Sequence, residues 1–139
     1  MNDAKTALAL RAMVAIRRLG LRLLPGMRAT WPDDARPCRR YGSPGETGGW
    51  VSDYSGNERF NSDEDALPDL ADPATLGCLL ALVREAWGDP VADVRYRGEG
   101  EDWACRCQSQ SWFDPDITGA TQAEALVAAL EAAPPKHEG

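Results

Sequence analysis

The chain has 139 residues, 43% of them hydrophobic, and a formal net charge of −7, which suits one globular domain and excludes wholesale disorder. No apolar run approaches the roughly 18–20 residues of a membrane helix, and four cysteines in a chain this long do not make a disulfide scaffold. The charge is uneven: nine basic residues face three acidic ones up to Arg40, a net +6, whereas six face nineteen from Tyr41 onward, a net −13. An acidic body repels phosphate and favours basic partners, while the first segment alone tolerates an anionic one.

Asn2 or Asp3 is placed to cap a first helix that runs to about Leu19, with Arg17 and Arg18 in its last turn and Gly20 as a left-handed stop. Leu8, Ala12, Ala15, Ile16 and Leu19 form its core stripe. Leu10, Met13 and Val14 form a second apolar side, so the helix is expected to be well buried or shared with another chain, as in a homodimer. Its apolar stretch from Ala7 to Ile16 is broken by Arg11 and followed by Arg17-Arg18. A secretory signal carries its charge before the apolar block, so the layout predicts a cytoplasmic protein.

Between residues 21 and 71, Leu21–Leu24, Met27–Trp31, Cys38–Tyr41 and Gly49–Tyr54 read as short strands, punctuated by Pro25-Gly26, Trp31-Pro32, Ser43-Pro44-Gly45 and Ser55-Gly56-Asn57. The acidic run from Asn61 to Asp69 reads as a solvated connector. Asp72 then caps a helix with Pro73 at its first position, Gly88 at its end and Pro90 beyond. Leu76, Leu79, Leu80, Val83 and Trp87 make its core face. Ala92, Val94 and Tyr96 alternate with Asp93, Arg95 and Arg97 as a half-buried strand. Gly98 to Glu101 makes the turn, and a returning strand from about Asp102 to Phe113 places Trp103, Cys105 and Cys107 together, all expected to be buried. Thr121 and Glu124 form a capping box for a last helix that faces Leu126, Val127 and Leu130 inward and stops at Pro134-Pro135.

Helix, strand, strand, helix is the order of the last third, and strands joined by a tight turn are antiparallel. The fold class is therefore α+β: an antiparallel sheet packed by helices, with the first helix and the earlier strands extending that sheet or covering its second face. One domain spans residues 1–134, its best-defined unit 72–134, and 135–139 form a disordered tail.

The side chains that carry chemistry are sparse. The one histidine, His137, lies in the tail, which leaves Ser-His and Cys-His schemes and zinc hydrolysis without a base or ligand. Cys105 and Cys107 stand two apart on a strand, and Cys38 and Cys78 are isolated, which suits reduced, packed thiols over a metal site. No phosphate-cradling glycine loop is present. No catalytic, cofactor-binding or metal-ligating residue is therefore assigned, and no cofactor is expected. Two acidic clusters, Asp63-Glu64-Asp65 and Glu99/Glu101/Asp102, are candidates for binding a basic partner surface. A third acidic group, Asp114/Asp116, reads as a solvated turn. An alternative is a nucleic-acid interface on the basic patch of Arg11, Arg17, Arg18 and Arg22, with Arg28, Arg36, Arg39 and Arg40 nearby and Trp31 and Tyr41 among them to stack on bases. Another is a metal enzyme built from the carboxylates.

Two stretches also carry a resemblance. Leu67 to Gly88, opened by Asp72-Pro73-Ala74-Thr75 and closed by Trp87-Gly88, and Gly119 to Pro134, with Thr121-Gln122-Ala123-Glu124, resemble small uncharacterised proteins of bacteriophages and prophages. These include proteins described as having a phage ABA-sandwich domain. The matching residues pack and cap helices, so they identify a scaffold and transfer no functional residue. What the resemblance implies is a small accessory protein without catalysis, acting in the cytoplasm of a bacterial host. It would bind a host or phage protein, and inhibition of a defence system such as CRISPR–Cas is among the expectations.

Overall fold

Residues 3–32, 34–42, 49–52, 55–56, 58–59, 63–98, 100–108 and 117–134 are described by a computed structural model, and they form three helices and two antiparallel sheets. The fold is α+β, with the helices packed on the sheets. Asn2 and the segment 109–116 lie outside the described residues, as do Glu99 and the 135–139 tail.

Helix α1 (Asp3–Arg18) buries Ala9, Ala12, Met13, Ala15 and Ile16, with Leu19 just beyond and Leu8 half-buried. Gly20 ends it at φ +69°, a left-handed stop that glycine takes without a Cβ clash. Met13, expected on a second apolar side, is instead core. Its arc falls next to Ala9 and Ile16 on the helix wheel, so only Leu10 and Val14 remain outside.

The next five strands are β1 (Arg28–Trp31), β2 (Asp34–Tyr41), β3 (Gly49–Ser52), β4 (Glu58–Arg59) and β5 (Leu67–Pro68), in the order β4-β3-β2-β1-β5. Of the two arrangements open from sequence, extending the C-terminal sheet or covering its second face, the first does not occur: these strands make a sheet of their own. Ala29, Trp31, Cys38 and Trp50 point inward from alternate positions, and the rings of Trp31 and Trp50 meet edge to face at 4.9 Å. Leu21–Leu24, read as a strand, is irregular: it carries the chain from α1 to the sheet, and the Leu24 N–H turns to the Met27 sulfur at 3.2 Å. The acidic connector is also more ordered than its composition suggested. Ala66 and Pro68 are buried because β5 pairs with β1, and Pro68 sits on the sheet edge, where its missing N–H leaves no ladder bond unmade.

Helix α2 (Pro73–Trp87) starts as expected. Asp72 Oδ2 accepts from the Thr75 N–H at 3.0 Å, and Gly88 closes at φ +63°. Its buried face is Thr75, Leu79, Leu82 and Val83, while Leu76, Leu80 and Trp87 are half-buried. The expected face is thus rotated towards Leu82, because α2 packs on α3 and its Trp87 Nε1 donates to Ala129 O at 2.9 Å.

The second sheet is β6 (Asp93–Arg97), β7 (Asp102–Arg106) and β8 (Ile117–Gly119), in that order. Val94, Cys105 and Ile117 form one cross-strand row on the face covered by α3 (Gln122–Ala132). Trp103 is half-buried, not buried. Its neighbour on β8 is Gly119, which offers no side chain to cover the ring, and on the other side it meets Tyr96 at 5.6 Å, itself 56% exposed. Thr121 caps α3 by accepting the Glu124 N–H at 3.1 Å. Ala125, Leu126, Val127, Ala129 and Leu130 are fully enclosed, because α1, α2 and the second sheet all pack on this helix.

Candidate functional site

The basic residues of the first third are largely turned back onto the chain itself. Arg11 holds Glu131 through two bonds, at 3.0 and 2.6 Å, and that pairing keeps the Glu131 carboxyl below its ordinary range. Arg18 gives one nitrogen to the carbonyls of Leu130, Glu131 and Ala133 at 3.1–3.3 Å. It thereby caps the C-terminal end of α3, where a cation also meets the negative end of the helix dipole. Arg17 donates to Glu64 O at 2.6 Å. Arg28 pairs with Asp69 at 2.8 Å, Arg36 with Asp34 at 2.9 Å, and Arg39 with Asp72 at 3.0 Å. Arg40 is 7% exposed, lies over the Trp50 ring at 5.2 Å and reaches Asp63 at 2.7 Å, while Trp50 Nε1 donates to the same Asp63 oxygen at 2.9 Å.

These contacts redistribute the sequence candidates. Of the first acidic cluster, Asp63 is committed to Arg40 and Trp50, and Glu64 and Asp65 are exposed. Of the second, Glu101 is exposed with φ +53°, Asp102 is held by Arg97 through two bonds at 2.9 and 2.8 Å, and Glu99 lies outside the described residues. The first cluster meets the basic patch.

That meeting point is at the C-terminal end of α1. A hollow of about 140 Å³ has Met13, Ile16, Leu21 and Leu23 for its floor and Arg17, Arg22, Asp63 and Glu64 for its rim. Val14 and Leu10 are not part of its lining but stand three and seven residues before Arg17 on the solvent side of α1. Leu10 is 51% exposed and Val14 64%, on a helix whose other large apolar side chains are buried or half-buried. By 100° steps, Arg17 flanks this pair on one side and Arg11 and Arg18 on the other. The sequence singled out both the apolar pair and the arginines. It missed the hollow, which needs the fold to bring residues 63–64 to α1. A wider groove of about 390 Å³ between the N-terminal turns of the three helices, lined by Leu8, Leu70 and Leu76, gathers none of the sequence candidates.

Cys105 and Cys107 are fully enclosed, their sulfurs 3.9 Å apart. The Cys105 thiol is pushed well above its ordinary range, first by its hydrogen bond with Cys107 and then by burial. Among the described residues, no three His, Cys, Asp or Glu side chains converge so that they could hold a metal ion. No helix of the described residues is long and apolar enough to cross a membrane. Comparison with family models, with curated proteins and with solved structures finds no match for this chain.

Proposed function

We propose that the protein works by occupying another protein through the solvent face of α1 and turns over no substrate. The observation that carries this reading is the exposure of Leu10 and Val14, one turn apart, beside an apolar hollow and a rim of arginines. Apolar anchors next to arginine are the make-up of the centre of a binding surface. The resemblance to phage and prophage proteins supplies the setting: a host or phage protein as partner, in the cytoplasm of a bacterial host. A nucleic-acid-binding effector of a defence system such as CRISPR–Cas is a target of the kind such small proteins block.

The two charged alternatives have less support. An acidic surface that enters a basic groove needs its carboxylates unmatched, and Asp63 and Asp102 already face guanidinium groups. A nucleic-acid interface on Arg11, Arg17, Arg18 and Arg22 would compete with Glu131 for Arg11 and would place Asp63 and Glu64 near phosphate. The reading is tested by using the wild type and three variants as baits in host lysate: Leu10→Ser/Val14→Ser, Glu64→Lys/Asp65→Lys, and Glu101→Lys. A protein retained by the wild type and by both charge-reversed baits, and lost from Leu10→Ser/Val14→Ser, is the expected result. Loss from the charge-reversed baits alone would move the binding face to the acids.

A further inference from the structure

We infer that the segment that covers Leu10 and Val14 is an amphipathic helix of the partner protein, with carboxylates flanking its apolar residues. This rests on the α1 reading above and names the chemistry of the partner. Leu10, Val14 and the hollow beside Arg17 are spaced by four and three residues, so the contact points span about 10 Å of helix. A second helix laid along α1 meets such points with side chains at i, i+3 or i+4, and i+7. The hollow, about 140 Å³, is well under the roughly 300 Å³ at which small-molecule sites begin. It suits one anchoring side chain of leucine or methionine size.

Charge selects the flanks. Arg11 and Arg40 have carboxylate partners in Glu131 and Asp63, but the contacts of Arg17 and Arg18 are to carbonyl oxygens. Carbonyls orient a guanidinium without pairing its charge; Arg18 also acts through space on Glu131, Asp63 and Glu64 share the rim with Arg17, and Arg22 adds a third exposed cation at the hollow. Carboxylates on a partner helix would complete all three. A second copy of this chain fits less well: among the described side chains on its exposed α1 face, the charged ones are Lys5 and the same arginines, and each chain carries −7 overall. An anionic membrane also fits less well, since two apolar side chains are little to insert and the net charge is repelled. Nucleic acid gives no reason for an apolar pair at the centre of the patch.

The test uses two synthetic helical peptides with the same leucines at i, i+4 and i+7. One has glutamates on both flanks and the other lysines. Fluorescence anisotropy should show the glutamate peptide binding at least about tenfold tighter than the lysine peptide, with the gap narrowing in high salt. Leu10→Ser/Val14→Ser should weaken the glutamate peptide, as should Arg17→Glu/Arg22→Glu with the apolar pair intact; unchanged melting temperatures show that each variant is folded. Equal binding of the two peptides overturns the inference, and so does binding confined to a single-stranded oligonucleotide or to phosphatidylserine vesicles. Saturation of the α1 face by self-association, seen as a concentration-dependent dimer that Leu10→Ser dissolves, also overturns it. If the glutamate peptide fails while the lysate partner still depends on Leu10 and Val14, the chemistry of the partner is wrong and the α1 reading stands.

Discussion

Replacing glycine by alanine should have opposite effects at two positions of this protein. A Cβ built on Gly119 lies 2.5 Å from the Ala125 nitrogen, 2.7 Å from Glu124 Cβ and 2.8 Å from the Glu124 carbonyl carbon. Two of those atoms are helix backbone, which cannot rotate away. To restore an ordinary contact near 3.4 Å, the first turn of α3 must move by about 0.9 Å relative to β8. Overpacking of this kind costs about 1–3 kcal/mol. The displaced turn also holds the Thr121 cap and the Ala125–Thr121 hydrogen bond, and loss of a cap adds about 1 kcal/mol. Gly119→Ala should therefore destabilise by about 2–4 kcal/mol. Gly77, inside α2, has nothing within 4 Å of an added Cβ, so Gly77→Ala should stabilise by about 0.5–1 kcal/mol through the helix preference of alanine. Urea unfolding measures both: the midpoints should move in opposite directions at nearly unchanged slope. A loss below about 1 kcal/mol for Gly119→Ala would show that β8 and α3 are not in the contact described here.

Other outcomes follow from particular contacts. Leu79→Ala, at a fully enclosed site, should cost about 2–5 kcal/mol, and Leu80→Ala, half-buried, clearly less; equal losses by chemical denaturation would mean that the inner face of α2 is misplaced. The Asp72 carboxyl is held below its ordinary range, first by Arg39 and then by Thr75. A depressed carboxylate lends stability above its unfolded pKa and loses it as pH falls through the folded value, so Asp72→Asn should lower stability at neutral pH and flatten its acid-side decline. A decline as steep as in the wild type would refute that assignment. Cys105 and Cys107 should resist a bulky thiol reagent in native protein and react once urea is added; fast native labelling of both would contradict their enclosure.

How far the sequence revealed the molecule depended on how local each signal was. The start and stop of α2, the Thr121 cap and the hairpin between β6 and β7 are each set within a few residues, and all were legible. Separate sheets were not legible, because nothing local says whether a short strand joins neighbours near in sequence or far from it. β8 is three residues long and escaped notice for the same reason, and β5 was hidden inside an acidic run. The candidate site divides similarly. Leu10 and Val14 share an arc of α1 by simple periodicity, whereas the role of Asp63, in a bend before β5, depends on Arg40 and Trp50 arriving from two strands. The two acidic clusters look alike in sequence, and only the fold shows that guanidinium groups hold Asp63 and Asp102 while Asp65 is exposed.

The reading of α1 as the binding face is tested most directly by photocrosslinking in cells that express the protein, with a photoreactive residue placed singly at Val14, at Asp65 or at Glu101. A crosslink to one partner protein from position 14, absent when Leu10 is also replaced by serine, is the expected result. Crosslinks from position 65 or 101, with none from position 14, would contradict it.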